Sequence, residues 1–287
     1  MTNCLGLQIL PSTRQRPRAG DDRRCSNQRS GKSPSRVGHS SWNCVRPSNT
    51  VSSSSITSRA EALIRWNHPT RGLLSPVSFI EVLSQKPSAP EIGEWILRTA
   101  CGQAAGWQRS IPNFRIGVNL FEAQFRTGQL AQVVEKALAE TGLPAASLEL
   151  EIVENILLRN DDSTLRLLQE LRSLGVGLAF DDYGTGFASL SLLKRYPVTR
   201  LKIDRSFIRD VTTDAEDVAV VKAVIYLGRS FGMEVIAEGV ETEEQLDFLK
   251  TENCAEVQGY LFGKPMTAGE FEARFLSGDK VKASSDT

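Results

Sequence analysis

Histidine is scarce in this chain, occurring only twice in 287 residues. A histidine-built metal or proton-transfer centre therefore has little to draw on, and oxygen becomes the donor for any metal. The five cysteines, Cys4, Cys25, Cys44, Cys101 and Cys254, form no CxxC pair. Their odd number and scatter fit free thiols in a reducing cytoplasm better than a disulfide framework or a zinc site. No apolar run approaches the roughly 20 residues that cross a bilayer. The opening MTNCLGLQILPSTR has a short apolar run with no charge before it, a poor signal peptide. No GxGxxG loop follows an early strand, which removes the main signature of a doubly wound dinucleotide fold.

Net charge is also missing, with 34 basic and 34 acidic residues, but their distribution is uneven. Residues 1–58 carry nine Arg or Lys against two Asp, a balance of +7 that leaves −7 for the remainder. An acidic folded part argues against nucleic acid as its main ligand. Residues 1–58 are rich in Ser, Arg, Pro and Gly and lack periodic apolar residues, so disorder is expected there. From residue 59 the texture is that of a globular domain, expected to run to 277 and to end in a flexible tail, 278–287.

Within 59–277 strand and helix patterns alternate. Apolar and β-branched runs at 61–66, 115–120, 147–153, 176–180, up to 204, 234–240 and 255–262 read as seven strands. Helical spacing fills 76–85, 89–107, 123–141, 162–175, 214–232, 241–253 and 267–276. Such alternation implies a parallel sheet with right-handed crossovers, and over this length a TIM-like (β/α) barrel is the economical closure.

The densest chemistry lies in residues 176–204. A strand ends in Asp181 and Asp182, a loop with Gly184 and Gly186 follows, and the next strand ends in Lys202 and Asp204. Adjacent buried aspartates repel each other and need a cation or a shifted pKa to coexist. A capped turn is the plainer reading of the pair. The other strand ends add Glu61, Asn119, Glu151, Glu238 and Gln258. In a barrel these ends share one mouth. An all-oxygen donor set favours Mg²⁺ or Mn²⁺, and two such ions about 3.5–4 Å apart are the arrangement for in-line phosphodiester hydrolysis. Singly, each residue has a structural alternative. Glu61 or Glu151 can be a surface acid, Asn119 a helix cap, Lys202 and Asp204 an ion pair, and Glu241 the start of a helix. Glu151 shares its strand parity with Glu149.

The motifs EALIRW (61–66), GVNLFEAQF (117–125), LELEIVE (148–154), DDYGTGFASL (181–190), LKIDRSFI (201–208), IAEGVET (236–242) and QGYLFGKPM (258–266) resemble the EAL domain, the cyclic di-GMP phosphodiesterase module of bacterial signalling. The resemblance implies a TIM-like barrel that opens cyclic di-GMP to linear pGpG with two Mg²⁺ or Mn²⁺ ions. It implies metal-site roles for Glu61, Asn119, Glu151, Asp181, Asp182 and Glu238, with Asp181 bridging. Lys202, Glu238 and Asp182 would be catalytic, Lys202 contacting the attacking water. Arg65 would bind a phosphate, Leu63 and Pro265 would flank the nucleotide, and Gln258 would assist. Glu241 would hold the loop after Asp182, and the 182–195 loop and helix would form a homodimer contact. Two departures stand out. Phe121 follows Asn-Leu where the family commonly has Ser. The usual first helix and YQPI-like strand are not recognisable before residue 61, so the domain reads as N-terminally truncated or rearranged, with an incomplete barrel. A non-catalytic cyclic di-GMP receptor and an inactive fragment are the alternative readings.

Overall fold

The computed structural model describes residues 5–15, 58–157, 161–184 and 190–276. The expected flexible tail and most of the expected disordered segment lie outside those residues. The strands are β1 (Leu5–Arg14), β2 (Arg59–His68), β3 (Gly72–Leu74), β4 (Arg115–Asn119), β5 (Leu148–Val153), β6 (Gly177–Tyr183), β7 (Arg200–Ile203), β8 (Glu234–Ala237) and β9 (Glu256–Gln258). Eight of them close into a ring in the order β1-β2-β4-β5-β6-β7-β8-β9, and β3 is a hairpin appended to β2. Seven barrel strands run parallel, while β1 is antiparallel to both of its neighbours. Long helices, such as Ala89–Trp107 and Ala215–Ser230, make the crossovers and cover the outside.

The α/β TIM-like barrel expected from the alternation is therefore present, with one correction. The barrel is closed. The place of the unrecognised first strand is taken by Leu5–Arg14, which falls inside the segment expected to be disordered. This strand pairs with β2 from Leu5↔Trp66 to Ser12↔Arg59 and with β9 from Ser12↔Gln258 to Arg14↔Glu256. Ile9 also exchanges both backbone hydrogen bonds with Met266, at 2.7 and 3.0 Å. The stretch between β1 and β2, where a first helix would lie, is outside the described residues.

Strand alternation divides the side chains cleanly. Ala60, Ile116, Val118, Leu148, Leu150, Ile152, Leu178, Phe180, Leu201, Ile203 and Val235 are buried in the apolar core shared with the helices. The residues between them point into the barrel, and there the interior is charged. Arg59, Glu149, Arg200 and Glu256 fill its lower half, every one of them buried. Arg200 pairs with Glu149 at 2.8 Å and with Glu234 and Glu256, and Arg59 pairs with Glu149. Burial alone would push the Glu149 carboxyl up, but the two arginines hold it down at about 2. An ionic plug of this kind is a weak source of net stability, since desolvation offsets much of the attraction. It links β2, β5, β7, β8 and β9 through side chains at the foot of the barrel.

On the outside, Trp107 stacks on Phe271 with ring centres 4.5 Å apart, and Phe114 meets both rings edge-on. The Trp107 indole N–H donates to Glu272 at 2.8 Å. These contacts anchor the last helix, Ala268–Phe275, which packs beside β1.

Candidate active site: an acid-rich barrel mouth

The residues expected at strand ends converge at one end of the barrel, although Glu61 is only the third residue of the ten-residue β2. Their common centre is the ammonium group of Lys202, which is only 1% exposed. It lies 2.9 Å from Asp181 Oδ1, 2.8 Å from Glu238 Oε1 and 3.9 Å from Glu61 Oε2, and it donates to Glu151 Oε2. Lys202 does not pair with Asp204 as one structural reading had it. Asp204 instead caps helix Arg205–Arg209 through the Ser206 N–H at 2.9 Å and shares a hydrogen bond with Asp182.

Glu61 is pinned from two sides. Asn119 Nδ2 donates to its Oε1 at 2.5 Å, and Gln258 Nε2 donates to its Oε2 at 2.7 Å. Asn119 is thus turned into the mouth rather than spent as a cap. Phe121, the departure beside it, is buried in the core, and its N–H donates to Gln124.

The two aspartates both reach the site because β6 carries a bulge. Phe180 pairs with Leu201 but Tyr183 with Ile203, so three steps on β6 match two on β7. The extra residue is taken up at Asp182, whose φ of 54° is left-handed. Regular alternation would have sent one aspartate inward and the next outward. The Asp182 N–H also donates to Asp181 Oδ1 at 3.1 Å.

Four carboxylates around one ammonium would carry a charge of −3 if all were ionised, far from water. Burial and the Glu61 charge push Glu151 up to about 8. Burial, offset in part by Lys202, leaves Glu238 also at about 8. Burial raises Glu61, and burial with Asp181 and Asp204 raises Asp182 to about 6. Burial would lower Lys202, but the surrounding acids, Asp181 first, raise it well above its ordinary value. Lys202 therefore stays charged, and the acids are the groups that take up protons.

A pH dependence follows from these shifts. The raised acids bind protons in the folded state that the unfolded chain has already released. The stability they contribute is complete below their ordinary values near 4 and is lost as pH rises through about 6 and about 8. Glu149 works oppositely, and its contribution is lost only on acidification toward about 2. The metal-free protein should melt lower at pH 8.5 than at pH 5.5, and Mg²⁺ should raise the melting temperature more at the higher pH. Thermal melts at the two pH values check this. A midpoint that rises across the interval would contradict a proton-holding cluster.

Whether this site fits a metal is a question of its donors. Among the described residues no group of three or more Asp, Glu, His or Cys side chains converges as a ready metal cage. The carboxylates converge on Lys202 instead. The donor chemistry nevertheless fits a hard divalent cation, being all oxygen, buried and short of positive charge.

Arg65 is buried and donates through Nε to Gln8 of β1 at 2.8 Å, while Leu63 and Pro265 are half-buried. Glu241 is exposed, and its backbone N–H donates to Gln245 at 2.7 Å. Residues 185–189 of the loop it was expected to hold lie outside the described residues. A cavity of about 340 Å³ opens at the other end of the barrel, lined among others by Arg115, Glu149, Arg172 and Glu234. It is remote from the strand carboxyl ends, where chemistry in this fold is placed.

Sequence reasoning missed Arg59, Arg200, Glu256 and Gln8, and noticed Glu149 only for its parity with Glu151. A signal was available for three of the four. Arg59, Arg200 and Glu256, like Glu149, each stand two residues before a mouth residue, so period-two alternation puts them on the same inward face.

These observations define a (β/α) barrel closed by an antiparallel first strand, with an acid cluster at its mouth. The chain belongs to the EAL domain family, whose profile matches residues 49–265. It is 41% identical over 214 residues to the bifunctional diguanylate cyclase/cyclic di-GMP phosphodiesterase MucR of Pseudomonas aeruginosa, covering 74% of this chain and 31% of that protein. It is 42% identical over 217 residues to the cyclic di-GMP phosphodiesterase NbdA of the same organism, covering 74% of this chain and 27% of that protein. Among solved structures, the PaMucR phosphodiesterase in complex with c-di-GMP superposes with a TM-score of 0.76 at 34% identity, over 94% of both chains. The EAL domain of Mycobacterium smegmatis DcpA gives 0.71 at 30% identity, over 96% of this chain and 99% of that one. The chain spans about a third or less of the length of the first curated relatives it matches, 27–32%. Among the described residues no helix is long and apolar enough to cross a membrane.

Proposed function

We propose that this chain hydrolyses cyclic di-GMP to linear pGpG with Mg²⁺ or Mn²⁺. The observation that carries the reading is the mouth itself, where three buried carboxylates and the partly exposed Glu238 face a single ammonium inside an EAL barrel. Glu61, Asn119, Glu151, Asp181, Asp182 and Glu238 would hold two ions. When bound, such ions polarise a phosphodiester and lower the pKa of a coordinated water toward about 7.

The remaining work falls to the chain's own groups. Lys202 Nζ keeps its proton, so it donates to the attacking water or to the phosphoryl oxygens and does not act as a base. It places positive charge where negative charge accumulates in the transition state. Arg65, aimed by Gln8, would clamp a ligand phosphate, with Leu63 and Pro265 along the nucleotide. Gln258 and Asn119 keep both oxygens of Glu61 fixed. Homodimerisation through 182–195 is part of the proposal, supported by Leu190, which is exposed at the start of helix Leu190–Arg195.

The test is incubation of purified protein with cyclic di-GMP and Mg²⁺ or Mn²⁺, followed by chromatography. Asp181→Ala should reduce pGpG formation by roughly 10²–10³-fold. No product above that control would sink the enzyme reading, and binding without turnover would favour a receptor.

A further inference from the structure

Among the described residues, the charged interior below the mouth is joined to the site through the guanidinium of Arg59. This side chain is 3% exposed and enters from the foot of β2, two residues before Glu61. Its Nη2 donates to Glu149 and, at 3.1 Å, to Glu151 Oε1. Its Nη1 lies 4.0 Å from Glu256 Oε2. The two oxygens of Glu151 are thereby used differently. Oε1 is turned down the barrel axis to Arg59, and Oε2 is turned up to Lys202.

The seat in which this happens is made by a glycine. A Cβ at Gly117 on β4 would lie 2.2 Å from Glu151 Oε1 and 3.4 Å from Arg59 Nη2. Any larger residue there would occupy the space in which the two groups meet.

We propose that Arg59 is a positioning residue for the phosphodiesterase reaction. It holds Glu151 Oε1 from beneath, so that Oε2 alone is presented to the mouth and to a cation bound there. This inference rests on the function proposed above. A carboxylate fixed at one oxygen has a single orientation to offer a metal, whereas a free one must be ordered each time the ion binds. Partners of this kind, one shell behind a metal ligand, typically change metal affinity or activity by about 10–100-fold when removed.

Arg59→Lys tests the grip while keeping the buried charge. A lysine ammonium is a point donor and does not reproduce a planar fork shared by two carboxylates. Mn²⁺ binding to the purified full chain should weaken about tenfold, and kcat should fall by about tenfold with KM for cyclic di-GMP within about twofold of wild type. Gly117→Ala displaces the same oxygen without altering any charge and should give the same pattern, which keeps the test open if one variant folds poorly. A folded Arg59→Lys protein with wild-type Mn²⁺ affinity and wild-type kcat would overturn the proposal. So would impairment confined to Arg59→Gln, because charge and not geometry would then matter. If the wild-type chain forms no pGpG, the phosphodiesterase reading fails on its own, and the Mn²⁺ titration still reports on Arg59.

Discussion

Replacing Lys202 with methionine is expected to lower stability by about 3–5 kcal/mol at pH 8, the range for removing one partner of a buried charge cluster. The reason is arithmetic. Among the described residues, Lys202 is the one cation within 4 Å of Glu61, Glu151, Asp181 and Glu238 at once. Methionine fills a similar volume but leaves three buried acids and the partly exposed Glu238 without the counter-charge of Lys202. Each acid then either stays charged at a desolvation cost or takes up a proton that pH 8 makes scarce. At pH 5.5 protons are available to Glu61, Glu151 and Glu238, whose values are already raised by burial, so the loss should shrink. Mg²⁺ should restore part of it at pH 8, while hydrolysis of cyclic di-GMP stays abolished. Urea unfolding at the two pH values measures the difference. A loss that is equal at both, or below about 1 kcal/mol, would show that Lys202 is not the counter-ion of the cluster.

Deleting residues 1–15 should have a still larger effect, the loss of cooperative unfolding altogether. β1 pairs with β2 over eight residues and with β9 over three, and it exchanges two more hydrogen bonds with Met266. Without it the ring becomes an open sheet whose two edges, β2 and β9, present unpaired N–H and C=O groups. Such edges recruit other chains and aggregate. Ile9, 2% exposed, would also leave a hole in the apolar layer beneath the last helix. Circular dichroism during heating, together with gel filtration, reads the outcome. A monomeric deletion variant that melts sharply within a few degrees of the full chain would mean the barrel closes without β1.

The β1 strand also marks where the sequence was legible and where it was not. The seven parallel strands announce themselves through apolar runs flanked by glycine and acids, and their polar ends identify Glu61, Asn119, Glu151, Asp181, Lys202, Glu238 and Gln258 by position alone. LGLQIL offers only a short apolar run, set in a segment whose Ser, Arg and Pro content points to disorder. What makes it a strand is non-local, the two open edges of β2 and β9 that it completes, and a single sequence does not display those. The bulge at Asp182 is hidden for a related reason. Its register shift exists only relative to β7. The buried arginines were within reach of parity, but a charged interior contradicts the apolar filling usual in such barrels. Glu149 and Arg200 become plausible core residues only when seen to neutralise each other.

Because β1 runs against its neighbours, it starts at the mouth and finishes at the foot of the barrel, where β2 begins. Gln15 is tied there by its N–H to Ala255 O at 2.9 Å, and Ser58 O accepts from Arg115 N at the same distance. The two ends of the 16–57 connection are therefore fixed side by side on the face away from the acid cluster. For protein engineering this is an insertion port. A sensor or reporter domain spliced between Gln15 and Ser58 would inherit a rigid two-point mount, and the acid-rich rim would not have to make room for it.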